Sequence, residues 1–481
     1  MFTKKTVLES VVQYHLLFFI ALFIIFLPLC NLFPVINLFD DQRVYQILLL
    51  CIALLDLSLS SFYISGVLSV LLKIPLQARL GLLSILILAI ISALTAPLSN
   101  YAFLELSVYI SIFLFSLAVA ALFIQNPKLL QKAVFIFCII SCTLYQLTFF
   151  AGYLASFIEN IPLAWPEPFS GFSNIRFFNQ YHLWIFFLVS TPLLIYPTLS
   201  FRLRNFVKVI ALGWAILLFA SGSRGAILAV FLSLLICWLI FKQYAMPFIK
   251  LNLCLLSSGF IGDLFLFKLL PFLLGSDVFS GWRTVDQLTT DAPRLYLLQT
   301  SLTHIKNHPW LGIGPMHYAY YPNSIAMHPH NSLLQWAAEL GLPSTIILLI
   351  IIIIGVIAWI KRYNQICIPS NDNEKQLLPI ILLSTLIANL GYSLVDGVIV
   401  MPMSQILLGI ISGWMFGFYF EANGQNSLSN RNIHIMLFAS LTLVTLIYTV
   451  MPSFIQRINN VNKSEPMLMI PRFWQDGKIQ N

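Results

Sequence analysis

Residues 333–360 read LLQWAAELGLPSTIILLIIIIIGVIAWI, and from Ile346 to Ile354 the run is nearly pure isoleucine and leucine. A strand would show alternation at period two, which is absent. A helix of about 20 apolar residues crosses the roughly 30 Å of hydrocarbon in a bilayer. Lipid offers no hydrogen bonds, so such a segment must satisfy its own backbone, as a helix does. Comparable runs recur near residues 14–36, 44–72, 81–97, 103–124, 132–155, 181–199, 206–220, 225–241, 250–274, 377–400, 403–420 and 433–452. Composition agrees: of 481 residues, 59% are hydrophobic and 9% charged, whereas soluble domains carry about 25% charged residues. The expected fold is all-α, a polytopic integral membrane protein with about 12–13 transmembrane helices.

The formal charge of +8 points to membrane topology rather than nucleic acid, because the basic residues are scattered between apolar runs and form no stripe interleaved with aromatics. With Lys4 and Lys5 on the cytoplasmic side, the same side receives Lys73, Arg79, Lys128, Lys132, Arg202, Arg204, Lys208, Lys242, Lys250, Lys361, Arg362, Lys375 and Arg431. Positive charge favours that side. The opposite short loops hold only Arg43, Arg176 and Arg224. By the same parity the segment 154–180, the loop 275–332 and the tail 453–481 face away from the cytoplasm. The chain thus divides into 1–274, with about nine spans and a loop near 154–180; a large loop 275–332; C-terminal helices in 333–452; and the tail 453–481. The long loop is too rich in Trp, Tyr and His for a disordered linker, and loops of that length are usually functional. Lys4 and Lys5 before an apolar run without a small-residue cleavage site read as a retained first span. The seven cysteines lie mostly within apolar runs and show no metal-ligand spacing, so they read as core packing. There is no HExxH, no paired CxxC, no nucleotide-binding glycine loop and no acidic cluster.

Three constellations bear chemistry. The first runs from Arg294 to Pro315, RLYLLQTSLTHIKNHPWLGIGP, and continues as HPHNSLLQWAAELGLPS from His328. A helix is expected over about 295–306, with Arg294 at its start. Downstream, Ser332 and Gln335 fit a capping box, which puts His330 just outside a helix N-terminus. The positive end of the helix dipole disfavours imidazolium, so a neutral ring able to act as a base is expected there. A merely capping His330, or one packed on Trp336, suits the local pattern equally. His304, His308, His317 and His328 read as structural.

The second is SGSRGAILAVF from Ser221, where Gly and Ser open a span and place Arg224 at its mouth. Backbone N–H groups at a helix start plus a guanidinium suit a phosphate or pyrophosphate. A snorkelling interfacial arginine is the alternative. The third, WPEPFSGFSNIRFFNQYHLW from Trp165, joins aromatics with Asn174, Arg176, Asn179 and Gln180 in a loop, as a sugar site or an interfacial aromatic belt would. Asp56, Asp263 and Lys268 sit within apolar runs and leave a transporter as an alternative class.

SRG at Ser223, the Arg294 helix running into HPWLGIG, and His330-Asn331 followed by Gly341 together resemble the O-antigen ligase and O-antigen polymerase superfamily, which includes O-oligosaccharyltransferases that glycosylate pilins. The resemblance covers most of residues 165–420. It implies a GT-C-like membrane glycosyltransferase of the bacterial inner membrane with its active site facing the periplasm. Such an enzyme takes a glycan from undecaprenyl pyrophosphate and passes it to an acceptor without cofactor, metal or nucleotide sugar. The resemblance further implies, on matching positions, that His330 corresponds to the essential histidine that activates the acceptor hydroxyl and that Arg224 and Arg294 correspond to the arginines that hold the pyrophosphate. Ser223, Asn331, Asn179, Gln180, Arg176 and Glu339 are expected to support the site or meet the glycan. SNIRFFNQ at Ser173, YSLVDGVIVMPMSQ at Tyr392 and PRFWQDGKI at Pro471 resemble the pilin-glycosylating branch. The usual ligase pattern has Gly, Thr or Tyr where this chain has Ser344. A pilin acceptor is therefore expected before a lipid A-core or a growing O-antigen chain.

Overall fold

A computed structural model describes residues 4–33, 36–159, 169–275, 292–321, 325–370, 372–420, 433–461, 472–477 and 479. The described secondary structure is helical throughout, and ten helices are long and apolar enough to cross a membrane. The chain is a polytopic all-α membrane protein. Its helices are α1 (Lys4–Phe26), α2 (Leu38–Leu59), α3 (Ser61–Lys73), α4 (Leu76–Thr95), α5 (Ser99–Gln125), α6 (Pro127–Glu159), α7 (Ile175–Ser190), α8 (Phe201–Ala220), α9 (Arg224–Phe241), α10 (Met246–Leu264), α11 (Ala292–Asn307), α12 (Ser332–Arg362), α13 (Asn373–Tyr392), α14 (Pro402–Phe420) and α15 (Ile433–Val461).

Local chemistry sets the ends. Asn37 caps α2 by accepting from the Asp40 N–H at 2.9 Å, and Asn174 caps α7 from Arg176. Lys242, at φ 50°, breaks the apolar stretch Arg224–Leu274 into α9 and α10, and α10 lies along α8. The run 44–72 is two helices divided at Ser60. The run 377–400 stops at Tyr392, with Ser393 as its C-cap, so Asp396 lies in the connection to α14 rather than inside a span. Arg43 and Arg176, expected in loops, stand instead on α2 and α7, and Arg43 is fully buried. Arg431 and residues 160–168 of the aromatic loop lie outside the described residues.

Lipid gives helices no hydrophobic drive to associate, so close packing must supply the contact. Gly409, Gly413 and Gly417 repeat every fourth residue along α14 and face α5, where a Cβ would stand 2.7 Å from Phe115, 2.3 Å from the Ser116 carbonyl and 2.7 Å from Phe123. Gly66 meets Ala121 across α3 and α5 in the same way. Four cysteines, Cys138, Cys142, Cys237 and Cys367, are buried in the core.

Hydrogen bonds tie several of the helix junctions to one another in pairs. The Gln42 side chain donates to the Gly171 carbonyl (3.1 Å), Leu98 N–H to His317 (3.0 Å), and Asn331 to the Leu394 carbonyl (2.9 Å). Residues 472–477, read as part of the tail 453–481, pack against these junctions, with Arg472, Phe473, Trp474 and Gln475 all buried.

Candidate functional site

α12 begins at Ser332, and Asn331 is its N-cap: Asn331 Oδ1 accepts from the Leu334 N–H at 3.0 Å. The cap therefore falls one residue before the Ser332–Gln335 box read from the sequence. Ser332 is used otherwise, donating to the Ser393 carbonyl through its N–H (2.9 Å) and hydroxyl (3.0 Å). His330 precedes the cap with φ 53°, a left-handed backbone uncommon for a residue with a side chain. Its neighbours hold it there. The His330 N–H donates to His328 Nδ1 (3.3 Å), and the two rings meet edge to face at 4.2 Å. Burial, then the charge of His330, drives the His328 pKa well below that of free imidazole, so His328 serves as a neutral acceptor.

Asp396 comes to the same point from the far side of α13. Its Oδ1 lies 3.4 Å from His330 Nδ1 and accepts from Gln180 Nε2 (3.1 Å) and the Gly397 N–H (2.7 Å), while Oδ2 accepts from the Tyr392 hydroxyl (2.7 Å). The contact with His330 has ion-pair distance without hydrogen-bond alignment, since His330 Nδ1 has no aligned partner among the described residues. Burial would raise the Asp396 pKa, but His330, the charge of Arg176 and the Tyr392 hydroxyl outweigh it and hold the carboxyl well below the usual range. Asp396 is thus a buried, ionised group beside a half-buried histidine. Gly397 makes this possible, because a Cβ there would stand 2.3 Å from the His328 ring.

The SRG motif arrives next to this loop. Ser223 caps α9, accepting from the Ala226 N–H, and its hydroxyl lies 3.4 Å from that of Tyr392. A Cβ on Gly225 would come 3.0 Å from Val395 and 3.3 Å from Tyr392. Arg224, in the first turn of α9, is exposed. Arg294 is exposed in the first turn of α11, one turn before Leu297, which is buried with Tyr318 and Ala326. Neither arginine is ion-paired among the described residues.

The segment HPWLGIG has a backbone task. Gly341 (φ 80°) breaks α12, and Pro343 has no N–H, so the carbonyls of Ala338 and Glu339 lose their helical donors. Ile313 N–H fills the first at 2.8 Å and Gly314 N–H the second at 3.0 Å, while Leu342 N–H turns to the Pro309 carbonyl at 2.9 Å. No Cβ fits at the crossing: on Gly312 it would lie 2.3 Å from Glu339 backbone, and on Gly341 2.2 Å from the Trp310 carbonyl.

Of the residues singled out in the sequence, His330, Asn331, Gln180, Arg176 and Ser223 gather around Asp396 and Tyr392. Asn179 does not join them, since it is fully buried and its amide donates to the Ile175 carbonyl of its own helix. Glu339 stands apart from this group as well, 3% exposed and occupied by Arg472 and the Tyr318 N–H. Asp396 was missed because it lay inside an apolar run. Its being a carboxylate in such a run was the available signal.

Residues 206–349 match the family model described as O-Antigen ligase, which places that stretch, α8 to the middle of α12, in the O-antigen ligase superfamily. The chain is a multi-pass membrane protein that carries an O-antigen ligase-type segment. No curated protein matches it.

Proposed function

We propose that the chain transfers an oligosaccharide from undecaprenyl pyrophosphate to an acceptor hydroxyl on the periplasmic side of the bacterial inner membrane, the acceptor being a Ser or Thr of a type IV pilin. The observation that carries the reading is the His330–Asp396 pair at 3.4 Å beside the SRG helix start. The carboxylate at Nδ1 favours the tautomer with its proton on that nitrogen and leaves Nε2 free as a base. His330 takes the proton of the acceptor hydroxyl as its oxygen bonds to the anomeric carbon. The bond from that carbon to the pyrophosphate oxygen breaks, and the electron pair leaves on the lipid pyrophosphate. Arg224 and Arg294 meet that growing charge, which lowers the barrier without a metal.

A lipid A-core acceptor is the second reading, favoured by the description of the matched family. Co-expression with a lipid-linked glycan and a candidate pilin separates the two. A pilin mass shift equal to the glycan supports the first reading. Unmodified pilin with glycan on lipid A-core replaces it by the second, and longer lipid-linked chains indicate a polymerase.

A further inference from the structure

Buried charge outside the His330 site collects on the segment Arg472–Gly477. Arg472 is 1% exposed, and its Nη2 contacts both oxygens of Glu105 on α5 at 2.8 Å and Glu339 on α12 at 2.5 Å. The amide of Gln335, one turn before Glu339, faces the same guanidinium, and the Tyr109 hydroxyl donates to Glu105 at 2.6 Å. Arg43 of α2 donates to the carbonyls of Phe473 (3.0 Å) and Arg472 (3.2 Å), and also to the Val400 carbonyl (2.6 Å) and Gln405 (2.8 Å). Gln475 N–H donates to Asp40 (2.7 Å), whose other oxygen pairs with Arg457 of α15 (2.5 Å). The Gln475 side chain meets Ser173 at 3.4 Å, immediately before the α7 cap.

A buried ion triad adds little net stability over well-packed apolar replacements, because desolvation offsets the Coulomb gain. It does demand one geometry. The elements tied by this segment are those that carry the site: α12 starts next to His330, Ser173 precedes Arg176 and Gln180, and Val400 follows Asp396. We propose that Arg472 is a positioning residue for transfer, clamping Glu339 to Glu105 so that the start of α12 presents His330, with residues 472–477 acting as an intramolecular latch. This rests on His330 being the base. Arg472 is too buried to touch substrate, so its role belongs to turnover and not to donor binding.

The test uses full-length Arg472→Lys and the triple variant Glu105→Gln/Arg472→Met/Glu339→Gln, which removes all three charges of the triad together and leaves Arg43 its hydrogen bonds to the Phe473 and Val400 carbonyls and to Gln405. Transfer is measured with purified lipid-linked oligosaccharide, and folding is checked by thermal unfolding in detergent. The expected result is a kcat loss of about tenfold or more in the triple variant, as a displaced catalytic group gives, with an unchanged donor KM. Arg472→Lys should fall between it and the unaltered chain. An ion triad with a purely structural role leaves kcat intact, so an unaltered kcat in either folded variant overturns the proposal. His330→Ala is run beside them. If it still transfers, the assignment of the base has failed; if it is inactive while the Arg472 variants turn over normally, the latch alone has failed.

Discussion

The Asp396→Asn substitution keeps the shape of the side chain and removes its charge. The amide can then offer either an oxygen or an N–H to His330, and the tautomer with a free Nε2 is no longer enforced. Transfer is expected to fall by about 10²–10⁴-fold, the range of general acid–base catalysis, with donor binding retained; rate and binding measured on the same purified sample check both. Arg224→Lys and Arg294→Lys keep a positive charge but lose the planar fork that grips two phosphate oxygens. Each should give a partial loss expressed in donor KM as well as kcat. A sequence reader finds His330 and both arginines by their motifs. Asp396 is harder to find, because its partner lies 66 positions away and only the folded chain sets its Oδ1 3.4 Å from the ring.

At the scale of elements, the break in α12 is the feature to disturb. Gly341→Ala forces a side chain onto φ 80° and sets a Cβ 2.2 Å from the Trp310 carbonyl. A loss of about 2–4 kcal/mol is expected, since strain and overlap act together, and thermal unfolding in detergent measures it. Two histidines fix neighbouring connections as neutral acceptors: His317 takes the Leu98 N–H and His328 the His330 N–H. Burial lowers the pKa of both. The unfolded chain protonates each near pH 6.5, whereas the folded chain resists until lower pH. The unfolded state therefore binds more protons in that window, and stability falls as pH drops below about 6.5. His317→Gln should flatten the decline, read from melting temperatures across that range. Gly341 and Pro343 were legible as a stop or kink in the sequence. That the LGIG turn would supply the missing donors was not, since the carbonyls it serves lie some 25 residues further on.

Across the whole molecule, the apolar runs announced an all-helical membrane protein, because each is a local consequence of the bilayer, and ten described helices are long and apolar enough to span where about 12–13 were expected. Helix breaks were less visible. Ser60 and Tyr392 end helices inside stretches that read as continuous, and residues 472–477 have no apolar run to announce that they fold into the bundle. The alternation of basic residues between junctions predicts a labelling pattern. In a cysteine-free background, Thr95→Cys should react with a membrane-impermeant maleimide from outside intact spheroplasts. Lys361→Cys should react only after permeabilisation. The reverse pattern would turn the site toward the cytoplasm and remove the periplasmic reaction.

The central claim is that His330 is the base of a glycan transfer, and purified full-length chain, a lipid-linked oligosaccharide and an acceptor pilin in one detergent mixture test it most directly. The account predicts a pilin mass shift with the unaltered chain, and none with a folded His330→Ala variant that still binds the lipid-linked donor. Equal mass shifts from both would contradict it.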